Sequence, residues 1–431
     1  MNYFVLMIVI FVIGYLLIAL EHPIKVSKTA TALFLAAIMW AVYSMFGNGF
    51  NHEALVMHLG ETSEILFFLM GAMTIVEIID QHEGFTLITD KIETKSKRRL
   101  LWIISILSFF MSAVLDNLTT AIVMCALLRK LIADKHDRWF FCGMIVLSAN
   151  AGGAWSPIGD VTTIMLWIKG NITAGKIILE TFIPSLVSMV VPLTIITYTM
   201  KGNVERPEHI KSENDSLQIS HKQSKLIFFL GVGALLFVPI FKTITHLPPY
   251  IGVLLGLGVL WAVTELMHKN NKENLAKLTP ANVIRRIDTP SILFFLGILM
   301  AVACLQTAGH LDLLSKSLDK IGNIYIINMV IGVLSSIIDN VPLVAAAMGM
   351  YPVDPSLTHF AVDGAFWEFL AYCAGTGGSL LIIGSAAGVA IMGMEKIDFI
   401  WYLKKITIWA LLGYLSGAGV FILMSKFILH T

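Results

Sequence analysis

A ten-residue segment that occurs twice constrains this chain more than any other feature. Ser112-Ala113-Val114-Leu115-Asp116-Asn117-Leu118-Thr119-Thr120-Ala121 returns 223 positions later as Ser335-Ser336-Ile337-Ile338-Asp339-Asn340-Val341-Pro342-Leu343-Val344. In each copy an Asp-Asn pair interrupts a long apolar run. With 57% apolar residues, 14% charged residues and a mean hydropathy of +0.80, the surroundings of both copies are those of an all-α polytopic membrane protein. A charge inside such a protein is costly unless polar groups meet it.

Apolar runs long enough to cross a bilayer, about 17–25 residues, lie near 3–20, 29–46, 63–80, 139–168, 176–200, 225–246, 250–268, 291–308, 365–394 and 402–428, which predicts ten crossings. The first run lacks a basic region before it and reads as a retained helix rather than a signal peptide. Two more apolar stretches, about 100–129 and 322–350, hold the Asp-Asn pairs. Lys91, Lys95, Lys97, Arg98 and Arg99 precede the first, and Arg129, Lys130, Lys135 and Arg138 follow it. Both flanks therefore belong on the cytoplasmic side. Each arm has roughly 14 residues, a rise of only about 21 Å as helix. The stretch is expected to enter, turn at Asp116-Asn117 and leave by the same face as a re-entrant hairpin. Backbone of that kind survives in a membrane only when buried in protein or lining a wet cavity.

The second copy has the opposite surroundings. From Tyr351 to Met394 there is no Lys or Arg, while Asp354, Asp363 and Glu368 are present, so its exit reads as extracytoplasmic. Ile65-Leu66-Phe67-Phe68-Leu69 also matches Ile292-Leu293-Phe294-Phe295-Leu296, and Gly152-Gly153 through Ile158-Gly159-Asp160 matches Gly377-Gly378 through Ile383-Gly384-Ser385. Collinear matches at nearly one offset predict two inverted repeats of five transmembrane helices, 1–200 and 225–431, joined by a cytoplasmic linker over 201–224.

Each half carries a second polar element. Gly152-Gly153 and Pro157 break the run 139–168, and Gly377-Gly378 break 365–394. A broken membrane helix exposes half-helix ends near the midplane, where secondary transporters build ion sites. Asp116 and Asp160 supply carboxylates; Asn117, Asn150, Thr120, Ser156, Thr162 and Thr163 supply neutral oxygens, the ligands a hard cation such as Na⁺ or Li⁺ prefers. Proton and cation would compete for one buried carboxylate. In the second half Ser385 stands in place of Asp160, leaving Asp339 and Asn340 with Ser335, Thr376 and Ser379. The main site is thus expected in the first half, with the cation at Asp116, Asn117 and Asp160. Asp339 forms a second site, carries a proton, or caps a half-helix.

These runs resemble the NhaD-type Na⁺/H⁺ antiporters of the ion transporter superfamily over essentially the whole chain. The resemblance implies electrogenic exchange of cytoplasmic Na⁺ or Li⁺ for external H⁺, a homodimer, an elevator-like mechanism and a bacterial cytoplasmic membrane. Carried over by position, the functional residues are Asp116, Asn117, Asn150, Asp160, Thr162, Thr163, Ser335, Asp339, Asn340, Thr376 and Ser379. The superfamily also holds arsenite and carboxylate carriers; its dicarboxylate members have Ser-Asn-Thr at the hairpin tips where this chain has Asp-Asn.

Other titratable residues admit several roles. Glu64 and Glu77 lie inside the third run as candidate proton relays or interfacial charges. His22, His82 and His310 are candidate pH sensors or solvated loop residues. The four cysteines have no paired spacing and read as buried thiols. No catalytic triad, phosphate loop or His-Cys cluster points to an enzyme or a cofactor, and a net charge of +1 offers no surface for nucleic acid. The expected partner is the lipid bilayer.

Overall fold

The structure, a computed structural model, describes residues 3–47, 50–89, 92–207, 220–268, 278–337 and 339–429. Residues 208–219, half of the expected linker 201–224, lie outside them, as does the side chain of His22. Leaving single-turn helices unlabelled, the first half holds α1 (Tyr3–Ala19), α2 (Lys28–Phe46), α3 (His52–Gln81), α4 (Lys97–Leu115), α5 (Asn117–Leu131), α6 (Lys135–Gly153), α7 (Val161–Ile168) and α8 (Ala174–Thr199). The second half holds α9 (His221–Thr245), α10 (Pro249–His268), α11 (Thr289–Thr307), α12 (His310–Leu318), α13 (Ile324–Leu334), α14 (Asn340–Met350), α15 (Ala365–Gly377), α16 (Ala386–Glu395), α17 (Phe399–Lys405) and α18 (Thr407–Met424). Among the described residues the class is all-α; one isolated bridge joins Ser96 to Asn203.

Short polar residues decide where the helices break. Asp116 ends α4 and caps α5, accepting a hydrogen bond from Thr119 N at 2.7 Å. Its φ of 78° lies in the left-handed region, a conformation costing a non-glycine residue about 1–3 kcal/mol. Asp160 caps α7 with a reciprocal bond to Thr163, Asp339 caps α14, and Ser385 caps α16. Each cap satisfies amides that a helix start leaves without partners. Each is preceded by a corner that a continuous helix could not make.

Eight helices among the described residues are long and apolar enough to cross a membrane. Seven coincide with expected crossings. The eighth, α4, was expected as a hairpin arm too short to span; it starts earlier, at Lys97, and its 19 residues could cross unaided. The runs 139–168 and 365–394 are divided as expected, at 154–160 and 378–385. The run 402–428 divides at Ile406 into α17 and α18, and α12 meets α13 at 120°.

Hydrogen bonds fix the relative directions of these pieces. Val204 N donates to Lys95 O and Ala133 N to Glu205 O, both at 2.8 Å, so the two ends of the α4–α5 hairpin lie together. Lys97 at the start of α4 pairs with Asp137 at the start of α6 at 2.6 Å. The ends of the α13–α14 hairpin also meet, Tyr351 Oη donating to Asp319 Oδ1 at 3.1 Å. The start of α6 sits against the end of α16, with Trp139 Nε1 on Glu395 O at 3.0 Å. The start of α15 follows a loop held to the end of α7, with Asp363 N on Asn171 O at 2.9 Å. The two broken helices therefore pass antiparallel, and their hairpins enter from opposite ends: an inverted repeat.

Packing groups most of the helices into two bundles, with α12 and α14 also packed on α11 where the two meet. Helices α1–α3 and α9–α11 form one, in which α2 packs on α11 as α10 packs on α3. Helices α4–α8 and α13–α18 form the other, in which equivalent elements meet directly, α6 with α15 and α8 with α18. Backbones touch at two equivalent places. A Cβ at Gly152 would lie 2.1 Å from Phe109 O, and one at Gly377 would lie 2.0 Å from Gly332 O. Alanine at either position should lower stability by about 1–3 kcal/mol, read as a reduced melting temperature of the purified protein. Gly258→Ala, where nothing lies within 4 Å, should leave it unchanged.

Candidate functional site

Both hairpin tips meet at the first helix break on one side chain, Asp160, which is 1% exposed, and the second break is joined to it through Asn150. Its Oδ1 accepts from Thr162 N and from Thr162 Oγ1, each at 2.9 Å. Its Oδ2 accepts from Asn117 Nδ2 at 2.6 Å. From the opposite hairpin, Asn340 Nδ2 lies 3.4 Å from Oδ1 and 3.5 Å from Oδ2. Asn117 and Asn340 are the first residues of α5 and α14, and Asp160 caps α7. Three helix N-termini thus converge on this carboxylate, each placing partial positive charge towards it.

Asn150, in the last turn of α6, links the halves. Its Oδ1 accepts from Asn117 Nδ2 at 3.1 Å, and its Nδ2 donates to Ser379 Oγ at 2.9 Å and to Ser385 Oγ at 3.0 Å. The counterpart of Asn150 in the second half is Gly375, where a Cβ would lie 3.0 Å from that of Ala154. The first half supplies the amide, and in the second the glycine lets α15 approach Ala154 at the end of α6.

The remaining expected residues sit around this centre without joining it. Asp116 directs both oxygens to Thr119, Oδ1 to its amide and Oδ2 to its hydroxyl at 2.9 Å. Asp339 accepts from Val341 N at 3.2 Å and has Lys28 Nζ 3.8 Å away. Thr163 closes its capping box on the Asp160 backbone. Ser335 donates to Ala374 O at 2.9 Å, the equivalent of Ser112 donating to Ala149 O at 2.6 Å; these hydroxyls staple each hairpin to its broken helix. Thr376 donates to Tyr372 O in its own helix, and Ser156 to Ala113 O. Thr120 is buried without a partner for its hydroxyl.

Glu64 and Glu77 stay on α3, away from this group. Lys242 is a charged neighbour of Glu64, and Gln81 Nε2 donates to Glu77 Oε1 at 2.9 Å. His82 is no solvated loop residue: it is buried, with Nε2 2.9 Å from His268 Nε2. His310 stacks on Phe4 and bonds its carbonyl. Sequence reasoning missed Lys28, whose place beside Asp339 depends on a contact 311 positions apart. Nothing near Lys28 in the chain signals that contact.

A cavity of 260 Å³ opens between the bundles, lined by His58, Glu61, Met165, Lys169, Gln306 and Met348 among others. It lies along α7 and α14, whose first turns hold Asp160 and Asn340. At the other end of the broken helices Glu395 on α16 is gripped by Arg129 Nε at 2.6 Å and Arg138 Nε at 3.1 Å.

Comparison with known proteins gives the family and the fold. The citrate transporter family profile matches residues 15–367. Sodium/proton antiporter 1 of Arabidopsis thaliana is 47% identical over 98% of this chain and 72% of its own length. The Na⁺/H⁺ antiporter NhaD of Vibrio cholerae is 32% identical over 97% of this chain and 91% of its own length. The crystal structure of the Alcanivorax borkumensis YdaH transporter aligns at a TM-score of 0.53 and 12% identity, over 93% of this chain and 97% of that one, which shows a shared fold. The chain therefore belongs to the citrate transporter family of the ion transporter superfamily and, within it, to the NhaD-type antiporters, a family of multi-pass membrane transporters and not of enzymes.

Proposed function

We propose that the protein exchanges Na⁺ or Li⁺ from the cytoplasm for external H⁺ across a proton-energised membrane, with Asp160 holding either ion in turn. The observation that carries this reading is the convergence of both hairpin tips on one buried carboxylate. A charge removed from water needs compensation. A proton supplies it by neutralising the carboxylate, and a hard cation supplies it by coordination to oxygen. Asn117, Asn150 and Asn340 bring amide oxygens, and Thr162 a hydroxyl. The Asn117 and Asn340 amides turn their NH₂ groups to Asp160 here; rotation about the terminal bond presents oxygen to a cation instead. One negative centre then accepts Na⁺ or H⁺ but not both, which is the condition for exchange.

In the same reading both hairpins are re-entrant, the loops 201–224 and 269–286 are cytoplasmic, and the protein is a homodimer. The second bundle carries the site past the first, in the manner of an elevator. Support for the division comes from the cavity between the bundles and from lysines that bridge them: Lys28 to Asp339, Lys169 to Glu61, and Lys242 to the Trp167 carbonyl and ring.

The family description favours a second reading, carriage of citrate or another carboxylate. An anionic centre at Asp160 opposes it, because a polyanion there would meet like charge without added cations.

In everted vesicles with an imposed pH gradient, Na⁺ or Li⁺ should dissipate the gradient, and Asp160→Asn should abolish the response while the protein is still made and inserted. Absence of any response to either cation from neutral to alkaline pH, together with uptake of labelled citrate, would sink the exchange reading. Thr162→Val keeps the shape and removes one donor to Asp160. It should raise the half-saturating cation concentration about tenfold, near 1.4 kcal/mol, with the maximal rate within about twofold of wild type.

A further inference from the structure

Far from Asp160 along α15, the chain buries a second group of carboxylates. Glu180 on α8 and Glu368 on α15 are each 0% exposed, and Asp363 stands in the loop that leads into α15. Lys176 Nζ donates to Glu180 Oε1 at 3.0 Å. Thr173 donates to Asp363 twice, N to Oδ1 at 2.5 Å and Oγ1 to Oδ2 at 2.9 Å. Among the described residues no donor reaches Glu180 Oε2 or either oxygen of Glu368. The charged neighbours of Glu368 are Glu180, Asp363 and Lys176. The other helices packed there add none: α7, α13, α14 and α18 carry no charged residue, and the charges of α6 lie at its opposite end.

A buried carboxylate with a purely structural role looks different in this chain. Glu395, 5% exposed, has one arginine on each oxygen. Glu180 and Glu368 are two buried carboxylates, with half-buried Asp363 beside them and one partly exposed ammonium, Lys176, and a net buried charge of that sign is not sustainable. One proton removes a negative charge and converts an acceptor into a donor, giving an O–H to carboxylate bond, among the stronger hydrogen bonds. Glu368 is the member with both oxygens unmet and so the natural holder of that proton.

We propose that Glu368 is a proton-binding site, a carboxylic acid whose hydrogen is shared with the Asp363 and Glu180 carboxylates and exchanged with water past Lys176. The Lys176 side chain is 45% exposed and touches Glu180, so a proton from water reaches Glu180 Oε2 and then a Glu368 oxygen without crossing the bundle. From Glu368, α15 runs about 12 Å to Thr376, close to Ser379 and the Asn150 link to Asp160. As a stage on the proton's route to Asp160, this site rests on the exchange reading above; its protonation does not.

Infrared difference spectroscopy of the full-length protein in lipid, at neutral pH, tests protonation without any transport. The carbonyl absorption of a protonated carboxylic acid should be lost in Glu368→Gln and retained in Asp160→Asn. An unchanged spectrum in Glu368→Gln would mean an ionised carboxylate and overturns the proposal. Should Glu368→Gln not accumulate, Glu180→Gln serves in its place: the same band should shift, and its failure to shift overturns the proposal equally. In vesicles Glu368→Gln should displace the pH profile of exchange by about one pH unit, with the half-saturating Na⁺ concentration within about twofold of wild type. An unmoved profile rejects the stage on the proton's route. Loss of Na⁺-driven exchange in the wild type would instead reject the proposed function and leave the infrared result standing.

Discussion

The arrangement depends on keeping one carboxylate out of water. An unpaired ionised Asp160 in this interior would be prohibitive, so the chain surrounds it with donors from three directions. Continuous helices could not do this, because their amides are consumed internally. The breaks at Asp116, Asp160 and Asp339 release helix starts where the charge sits. Two hairpins and two broken helices are thus the least irregular backbone that brings several N-termini to one buried point. The strain at Asp116, with its φ of 78°, is offset locally by the cap it forms.

Inverted duplication supplies the geometry, and departures from it supply the chemistry. Equivalent hydroxyls, Ser112 and Ser335, staple equivalent hairpins, and equivalent glycines, Gly152 and Gly377, let the same pairs of helices approach. At the centre the equivalence ends: Ser385 stands where the first half has Asp160, and Gly375 where it has Asn150, whose amide donates to Ser385 Oγ. The tip aspartates, which look like the obvious ligands, bond to their own helix starts instead. Only one formal negative charge then points into the meeting place, which suits a monovalent cation or a single proton better than a divalent ion.

Much of the fold was legible because it follows from local rules. Apolar run length located most of the crossings, Gly-Gly and Pro located the breaks, and basic flanks predicted that the ends of the α4–α5 hairpin lie together. The long-range consequences were harder to read. Asp116 and Asn117 are adjacent in sequence, and nothing in the chain tells which side chain turns inward; that is decided by the corner at Asp116, which sends the carboxylate back to Thr119 and leaves the amide for Asp160. Glu368 entered the sequence reading only as one acidic residue in a stretch free of lysine and arginine. Its lack of partners follows from what α8 and the 351–364 loop place beside it.

The two ends of the second bundle complete the electrostatic picture. At one end the antiparallel pair α6 and α16 is tied by Arg129 and Arg138 on Glu395, with Trp139 on the Glu395 carbonyl. At the other, Asp363 ties the loop after α7 to the start of α15, but acid exceeds base there and a cavity separates α7 from the first bundle. Two arginines on one buried carboxylate hold α5, α6 and α16 of the second bundle together, because separating them would strand three charges. Among the described residues the acid-rich end has no carboxylate held by two cations: one ammonium, Lys176, lies beside Glu180, and the first bundle reaches that end through Lys242 on the Trp167 carbonyl, through the Lys169–Glu61 pair and through direct packing of α3 on α7.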